Sequence, residues 1–238
     1  MTSVVWHDLE CGSYRRDLSL WLDLAGRYPD PILDVGAGTG RVALHLARAG
    51  HSVIALDADP ELLDELERRA EGLALRTLCA DARAFALDEA VGLCLVPMQT
   101  IQLLGGGEGR MAFLNCARRH LQPGGLIAVA ITESLETFQV HDGDPGPLPD
   151  LIELSGVVYC SQPTAIGRDG RGFVLERRRE TVDPQGERQV SHDRVRLDRI
   201  SAAQLQQEGL SAGLHALPPR EIPPTDEHVG SRVVMLTA

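Results

Sequence analysis

The segment that most constrains the fold is a short apolar run that leads through three closely spaced glycines into an amphipathic stretch. Residues 32–50 read ILDVGAGTGRVALHLARAG. Ile32–Val35 has the length and apolar character of a strand buried in a parallel sheet. The residues from Gly40 to Ala49 have helical spacing, and Gly50 stands where a left-handed C-cap is expected. This strand, turn and helix predict an α/β protein, in which the amides of the turn either face a ligand or simply close a tight turn.

The same alternation of apolar runs and helical stretches continues to about residue 131. Asp59 and Pro60 supply an N-cap and a first-turn proline for the next helix. Strands that alternate with helices at this rhythm predict an α/β fold with a doubly wound, mostly parallel, Rossmann-like sheet of seven strands. The further strands of this region are predicted at 52–56, 75–79, 93–97 and 126–131, and a further helix at 110–121.

The rhythm changes after the fifth strand. Residues 141–150, HDGDPGPLPD, form a loop rich in proline, glycine and aspartate. No helical stretch separates the strand-like segments that follow, so they predict an antiparallel β-meander. These segments lie at about 155–166, 172–182 and 187–198, and a helix at about 201–208 and a strand at 232–237 close the chain. We therefore assign residues 1–140 and 199–238 to the core and residues 141–198 to a loop with an antiparallel insert.

Three aspartates, Asp34, Asp57 and Asp81, stand at the ends of consecutive predicted strands. The carboxyl ends of parallel strands meet at one edge of the sheet, where such folds bind ligands. Taken singly, each aspartate also suits a solvated strand end, and Asp34 also suits a cap of the turn. The glycines run G-A-G-T-G with Arg41 at the sixth position, whereas a dinucleotide site requires G-x-G-x-x-G. This spacing disfavours a dinucleotide oxidoreductase.

The sequence DVGAGTG at 34–40 resembles the first motif of class I S-adenosylmethionine-dependent methyltransferases. In that family an acid at the end of the second strand accepts hydrogen bonds from both ribose hydroxyls, and an acid after the third strand holds the adenine with the following amide. Asp57 and Asp81 match these two positions. LVPMQTIQLL resembles the fourth strand and the loop beside the methionine part of the cofactor, and ARRHLQPGGLIAVAI resembles the helix, turn and fifth strand that follow.

The resemblance implies S-adenosyl-L-methionine as the cofactor and S-adenosyl-L-homocysteine as the product. It also implies that an aromatic residue ahead of the first core helix, here Tyr14, lies over the cofactor tail. The cofactor-binding residues implied in this way are Tyr14, Asp34, Gly36, Ala37, Gly38, Gly40, Arg41, Asp57, Ala58, Asp81, Ala82, Pro97, Met98 and Gln99.

The meander resembles the β-rich insert that caps the active site in several small-molecule N- and O-methyltransferases, where it covers the substrate or mediates dimer contacts. The expected function is therefore methylation of a small molecule on nitrogen or oxygen, with a homodimer through the insert as an expected partner contact. Two alternatives stay open: a methyltransferase that acts on a protein, RNA or lipid, and a non-catalytic module that binds S-adenosylmethionine.

No catalytic residue stands out, because methyl transfer mainly requires alignment of the nucleophile, and a base matters only for a protonated nucleophile. His7, Glu133, His141 and His192 are candidates for such a base, and each of them also suits a plain surface position.

Composition excludes several classes of function. The net charge of −11 argues against a nucleic-acid partner. The five cysteines show no CxxC spacing and the segment after the fourth strand has no acid cluster, so no metal is expected. No apolar stretch reaches the length of a membrane span, and MTSVVWHDLE lacks the pattern of a signal peptide, so a cytoplasmic location without membrane contact is expected.

Overall fold

The computed structural model describes residues 2–225 and 228–238, and the chain divides into two compact units. The first, which we call the parallel unit, comprises Tyr14–Glu133 and Ile200–Ala238. The second, the antiparallel unit, comprises the residues up to Ser13 together with Ser134–Arg199.

The secondary structure follows the alternation that the sequence predicts, with several additions. The helices are α1 (Thr2–Cys11), α2 (Leu18–Ala25), α3 (Ala43–Arg48), α4 (Pro60–Arg69), α5 (Gly106–Arg119) and α6 (Ala202–Ser211), with one 3₁₀ turn at Thr100–Leu103. The strands are β1 (Ile32–Val35), β2 (Val53–Asp57), β3 (Leu75–Cys79), β4 (Val91–Val96), β5 (Leu121–Ile131), β6 (Phe138–Gln139), β7 (Asp150–Leu154), β8 (Val157–Arg168), β9 (Gly172–Val182), β10 (Arg188–Asp198), β11 (His215–Ile222) and β12 (Ser231–Thr237).

The parallel unit contains a seven-stranded sheet in the order β11-β12-β5-β4-β1-β2-β3. The five strands β1 to β5 run parallel to their neighbours, whereas β12 pairs antiparallel with both β5 and β11. The predicted fold class is therefore confirmed. β1 lies between β4 and β2, at the point where the strand order reverses, and such a point is where open α/β sheets bind ligands.

Local signals explain why the helices of this unit begin where they do. The side chain of Asp59 accepts a hydrogen bond from the Glu61 amide, and Pro60 occupies the first helical position of α4, as predicted. Ser201 and Gln204 form a reciprocal capping box at the start of α6. Both sides of the sheet are covered by extensive clusters of buried apolar side chains, which hold these helices against it.

Apart from shifts of a few residues at element ends, two segments of the parallel unit differ from the prediction. The Pro-Gly-Gly sequence at 123–125, predicted as a turn before the fifth strand, lies inside β5, because a bulge with Gly124 at φ +74° keeps the chain paired with β4. The other difference is β11, which has no strand-like pattern because it contains two prolines, and which is an edge strand where prolines are tolerated.

The antiparallel unit is a meander with strand order β10-β9-β8-β6, and β7 also pairs with β8. Its buried apolar cluster is small and consists of Leu135, Phe173 and Leu197. Helix α1 belongs to this unit because the Glu10 carboxylate accepts hydrogen bonds from Arg179 and Ser161. Along the chain, the two compact units are divided at residues 13/14, 133/134 and 199/200. The division into a core and an insert at 140/141 and 198/199 stays a prediction.

Within residues 2–225 and 228–238, no helix is both long enough and apolar enough to cross a lipid bilayer.

Candidate functional site

The carboxyl ends of β1, β2 and β3 form one edge of the parallel sheet. The register pairs Val35 with Leu56 and Asp57 with Cys79, so these three strands end close to one another. Asp57 is the last residue of β2, and Asp81 follows β3 by two residues. The structure therefore brings the predicted acidic residues to the same edge, beside the glycine turn that follows β1.

The glycine turn has the backbone conformation that its composition predicts. Gly36, Gly38 and Gly40 have φ values of +71°, +53° and +95°, which residues with a side chain rarely adopt. The amides of Gly36 and Ala37 both donate to the carbonyl of Leu56. These bonds fix the turn against the end of β2.

Two of the three glycines are also required by packing within the protein. A Cβ at Gly36 would lie 2.6 Å from the Thr100 side chain, and a Cβ at Gly40 would lie 2.2 Å from Leu66 Cδ1. At Gly36 and Gly40, the space that a side chain would fill is therefore occupied by other side chains of the protein itself. A cofactor contact at Gly36 and Gly40 stays a prediction.

Asp57 holds the middle of the turn. Its Oδ2 accepts a hydrogen bond from the Gly38 amide at 2.8 Å, and its Oδ1 accepts one from the Asp59 amide at 3.0 Å. Each carboxylate oxygen has capacity for a further hydrogen bond. Asp57 is therefore oriented by the backbone and still able to accept from hydroxyl groups of a ligand.

Asp34 is the unusual member of this edge. The residue is 1% exposed, and neither carboxylate oxygen has a hydrogen-bond partner among the described residues. Burial raises the pKa of Asp34 to about 7, against the opposing charge of Arg41. The backbone amide of Ala43 also lowers the pKa of Asp34, although it does not have the geometry of a hydrogen bond to either carboxylate oxygen. A buried carboxylate without a partner is costly to the fold, which marks it as a functional candidate.

Arg41, the residue after the glycine turn, is engaged inside the protein. Its guanidinium donates to both carboxylate oxygens of Asp17, at 2.6 and 2.7 Å, and to the carbonyl of Tyr14 at 2.9 Å. The Asp17 side chain is 1% exposed and also accepts a hydrogen bond from Trp21 Nε1 at 2.7 Å. This buried network ties the start of α2 to the glycine turn.

Tyr14 is positioned by the same network. Its ring centroid lies 5.3 Å from the Arg41 guanidinium carbon and 4.9 Å from the His228 ring centroid. Burial, with the charge of Asp17, raises the pKa of the Tyr14 hydroxyl above its usual range. The structure thus gives Tyr14 and Arg41 partners within the parallel unit, and their predicted contact with a cofactor remains a prediction.

The loop after β4 adds a second constrained segment to this edge. Met98 has φ +53°, an uncommon conformation for a residue with a side chain, and it lies between the predicted Pro97 and Gln99. Just beyond, the buried Gln102 amide donates to the Thr132 carbonyl at 3.1 Å and accepts from the Thr132 amide at 2.9 Å. This pair joins the 3₁₀ turn to the end of β5.

Asp81 is half-exposed and paired with a neighbour. Its carboxylate accepts hydrogen bonds from the Arg83 amide and guanidinium, which lower the pKa of Asp81 to about 2. Asp81 is therefore ionised at neutral pH. Of the two alanines predicted as backbone contacts, Ala82 is buried and Ala58 is exposed.

The four candidate bases belong to different units of the chain. Glu133 lies in the parallel unit, where its Oε1 accepts a hydrogen bond from the Ala202 amide at 2.7 Å and so caps α6. His7, His141 and His192 lie in the antiparallel unit, and the last two are exposed. No group of three or more metal-ligating side chains occurs in the part of the chain that the structure describes.

Three features of this edge were missed by the sequence reasoning. Asp17 lies four residues before Trp21 on the helical face, so its local hydrogen bond could have been anticipated, but its pairing with Arg41 could not. The Gln102–Thr132 pair and the contact of Thr100 with Gly36 join distant segments and leave no local signal.

Comparison with known proteins identifies the domain that contains this edge. Residues 32–125 match the family model described as "Methyltransferase domain". This match agrees with the resemblance that the sequence shows to methyltransferases over these residues.

Curated relatives resemble part of the chain. A cypemycin N-terminal methyltransferase from Streptomyces sp is 34% identical over 113 residues, which is 48% of this chain and 46% of the relative. A probable cobalt-precorrin-6B C(15)-methyltransferase from Methanothermobacter thermautotrophicus is 33% identical over 103 residues, which is 42% of this chain and 51% of the relative. The chain thus spans about half the length of these curated relatives.

Solved structures resemble the whole chain in fold. The S-adenosylmethionine-bound amino pentose methyltransferase CalS10 from Micromonospora echinaspora superposes with a TM-score of 0.73 at 20% identity, over 98% of this chain and 96% of that one. The sugar N-methyltransferase KedS8 from Streptoalloteichus sp superposes with a TM-score of 0.75 at 18% identity, over 98% of this chain and 92% of that one.

Proposed function

We propose that this chain, whose residues 32–125 are a methyltransferase domain, uses S-adenosylmethionine to methylate an amine of a small molecule and releases S-adenosylhomocysteine. The observation that carries the proposal is the buried, unpartnered carboxylate of Asp34 beside the glycine turn, at an edge that also holds Asp57 and Asp81. A site of this kind suits a ligand that combines a positive charge with hydroxyl groups and a purine, and that carries no phosphate.

In our proposal, three residues of this edge bind different parts of the cofactor. Asp57, oriented by the Gly38 and Asp59 amides, would accept hydrogen bonds from the ribose hydroxyls. Asp81 would hold the adenine, and Asp34 would balance the positive charge. Bound there, the cofactor supplies an electrophilic methyl group on a sulfonium leaving group. The task left to the protein is to hold the nucleophile in line and exclude water.

The choice of an amine rests on the relatives and on chemistry. The names of KedS8 and of the cypemycin enzyme both describe methylation on nitrogen, the first of a sugar and the second of an N-terminus. An amine reacts as its free base and needs no strong general base. This agrees with the exposure of His141 and His192 and with the capping role of Glu133. That the antiparallel unit covers the substrate or forms a dimer contact stays a prediction.

A thermal-shift series tests the cofactor. S-adenosylmethionine and S-adenosylhomocysteine, each near millimolar, are expected to raise the Tm by several degrees, because a ligand at 100-fold its Kd stabilises the native state by about 2.7 kcal/mol. NAD and NADP are expected to leave the Tm unchanged. Asp57→Ala should abolish the shift, and Asp64→Ala, which removes an exposed carboxylate from α4, should retain it.

Transfer of a labelled methyl group then tests the acceptor. Amino sugars and short peptides with a free N-terminus are compared with matched analogues in which a hydroxyl replaces the amine. Labelling of the amines alone supports the proposal. Labelling of the hydroxyl analogues alone, or a thermal shift only with a nicotinamide dinucleotide, would overturn it.

A further inference from the structure

Asp34 has an electrostatic environment that leaves its charge unbalanced. Among the described residues, its two oxygens are the only buried side-chain oxygen or nitrogen atoms without a hydrogen-bond partner. The cation that acts on it is Arg41, whose guanidinium is already paired with both oxygens of Asp17. The remaining titratable groups that act on Asp34 are Asp17, Asp57 and the buried thiol of Cys94, and none of them supplies a positive charge.

The methyl donor and its product differ in the charge that such a carboxylate detects. Both ligands carry the same adenosine and the same zwitterionic amino-acid tail. The donor has a positively charged sulfonium, whereas the product has a neutral thioether. An ionised carboxylate in a site of low dielectric attracts the first more strongly than the second.

Resting on the proposed function, we propose that Asp34 is a specificity-determining residue, which raises the affinity of the site for the cationic methyl donor relative to its neutral thioether product. When the donor binds a molecule in which Asp34 is protonated, the carboxylic acid loses its proton to solvent and becomes a carboxylate that balances the sulfonium. When the product binds, the proton stays on Asp34. The preference for the donor is therefore weak at acid pH and strong at alkaline pH.

Two observations support this coupling in addition to the missing partner. Burial raises the pKa of Asp34 to about 7, so that its ionisation falls in the neutral range, where ligand binding is able to shift it. Asp34 also lies two residues before the first glycine of the turn, and the charge of Asp57, which receives the Gly38 amide, acts on it. Asp34 is thus electrostatically connected to the residues of the cofactor edge.

The test is the ratio of the Kd of S-adenosylhomocysteine to that of S-adenosylmethionine, measured by isothermal titration calorimetry from pH 5.5 to 8.5 at constant ionic strength. The sulfonium lowers the pKa of the donor's own amino group below that of the product, so the ligands contribute a pH dependence of their own to the ratio. Asp34→Asn retains this ligand contribution and serves as the baseline. Relative to that baseline, we expect the ratio of the wild type to rise about tenfold over this range. Asp64→Asn, which removes an exposed carboxylate, should behave like the wild type.

Proton counting keeps the test decisive if Asp34→Asn does not fold. Titrations of the wild type at pH 6 in two buffers of different ionisation enthalpy should show more protons released by the donor than by the product. The same pH dependence of the ratio in the wild type and in Asp34→Asn, or equal proton release by both ligands, overturns the inference and leaves the proposed function standing. Failure of both ligands to bind at any pH overturns the proposed function itself.

Discussion

The parallel and antiparallel units handle charge in opposite ways. In the parallel unit, β1 and β4 are buried at every position, and the charged residues beneath the turn are few and almost fully enclosed. In the antiparallel unit, most of β10 is exposed, and arginines pair with carboxylates across the strands. Buried charges are worth several kcal/mol when one partner is lost, whereas exposed ion pairs contribute little. A change of a single charge should therefore matter far more in the first unit than in the second.

The two tryptophans allow this comparison to be measured unit by unit. Trp21 is fully buried in the parallel unit, and Trp6 lies in the antiparallel unit against Tyr159 and Arg179. In a Trp6→Phe background, the emission of Trp21 reports unfolding of the parallel unit alone.

The largest effect is expected from the buried pair that ties α2 to the glycine turn. Asp17→Asn should lower the free energy of unfolding of the parallel unit by about 4 kcal/mol, because it leaves the Arg41 guanidinium buried without its counter-ion. Urea unfolding followed by Trp21 emission in the Trp6→Phe background measures the change. Asp23→Asn is the matched control, since its pair with Arg27 is exposed and its loss should have little effect. Similar losses in both variants would contradict the contrast.

Asp34→Asn should change the pH dependence of stability without any ligand. The folded state holds the Asp34 proton up to about pH 7, whereas an unfolded aspartate loses it near its usual value of 3.8, so the wild type loses stability as the pH rises between these values. The Asn variant lacks this titration. Its stability relative to the wild type should therefore increase by about 3 kcal/mol from pH 5 to pH 8. Urea unfolding of the Trp6→Phe background at each pH detects this, and a constant difference would argue against a raised pKa.

The glycine turn allows packing to be separated from backbone strain. Gly40 and Gly50 have nearly the same φ, +95° and +97°, but a Cβ would lie 2.2 Å from Leu66 Cδ1 at Gly40 and have nothing within 4 Å at Gly50. Gly50→Ala should cost about 1 kcal/mol from the left-handed conformation alone. Gly40→Ala should cost about 3 kcal/mol, because overpacking is added. Equal costs, measured by urea unfolding, would show that Leu66 moves aside freely.

The smallest effect is expected at the ion pairs of the antiparallel unit. Burial raises the pKa of Glu10, but hydrogen bonds from Arg179 and Ser161 outweigh it and hold the pKa below its usual value. Glu10→Gln should destabilise this unit by about 1 kcal/mol at low salt, and by less in 1 M salt, because screening weakens partly exposed pairs. Calorimetry at both salt concentrations tests this, with the exposed Glu153→Gln as control. A loss as large as that of Asp17→Asn would remove the distinction between the units.

The parts of the fold that the sequence predicts are those specified by local signals. Apolar runs between helices identify β1 to β4, and Asp59 with Pro60 marks the start of α4. The two-residue period of a strand places Arg177 and Arg179 on one face of β9, and both lie within ion-pair distance of Glu10. β11 is not predictable because its sequence, which contains two prolines, has no strand pattern. It forms a strand because it pairs with β12 at the edge of the sheet.

For the candidate site, the sequence predicts which residues lie at the same edge of the sheet. It does not predict the partners of their side chains. The positions of Asp34, Asp57 and Asp81 follow from strand ends in a parallel sheet. The partner of Arg41 does not, because Asp17 is brought to it by the packing of α2. The partner of Glu133 is likewise not predictable. Its position after β5 favours a role in catalysis, whereas in the structure its carboxylate accepts a hydrogen bond from the Ala202 amide.

The discontinuous antiparallel unit has a consequence for biosynthesis. Glu10 and Arg179 are 169 residues apart along the chain, yet they bind one another. A ribosome adds about 5–20 residues per second, so the first helix emerges roughly 10 to 30 seconds before its partner strand. During that interval β1 to β5 are able to assemble, whereas α1 still lacks the strand to which it binds.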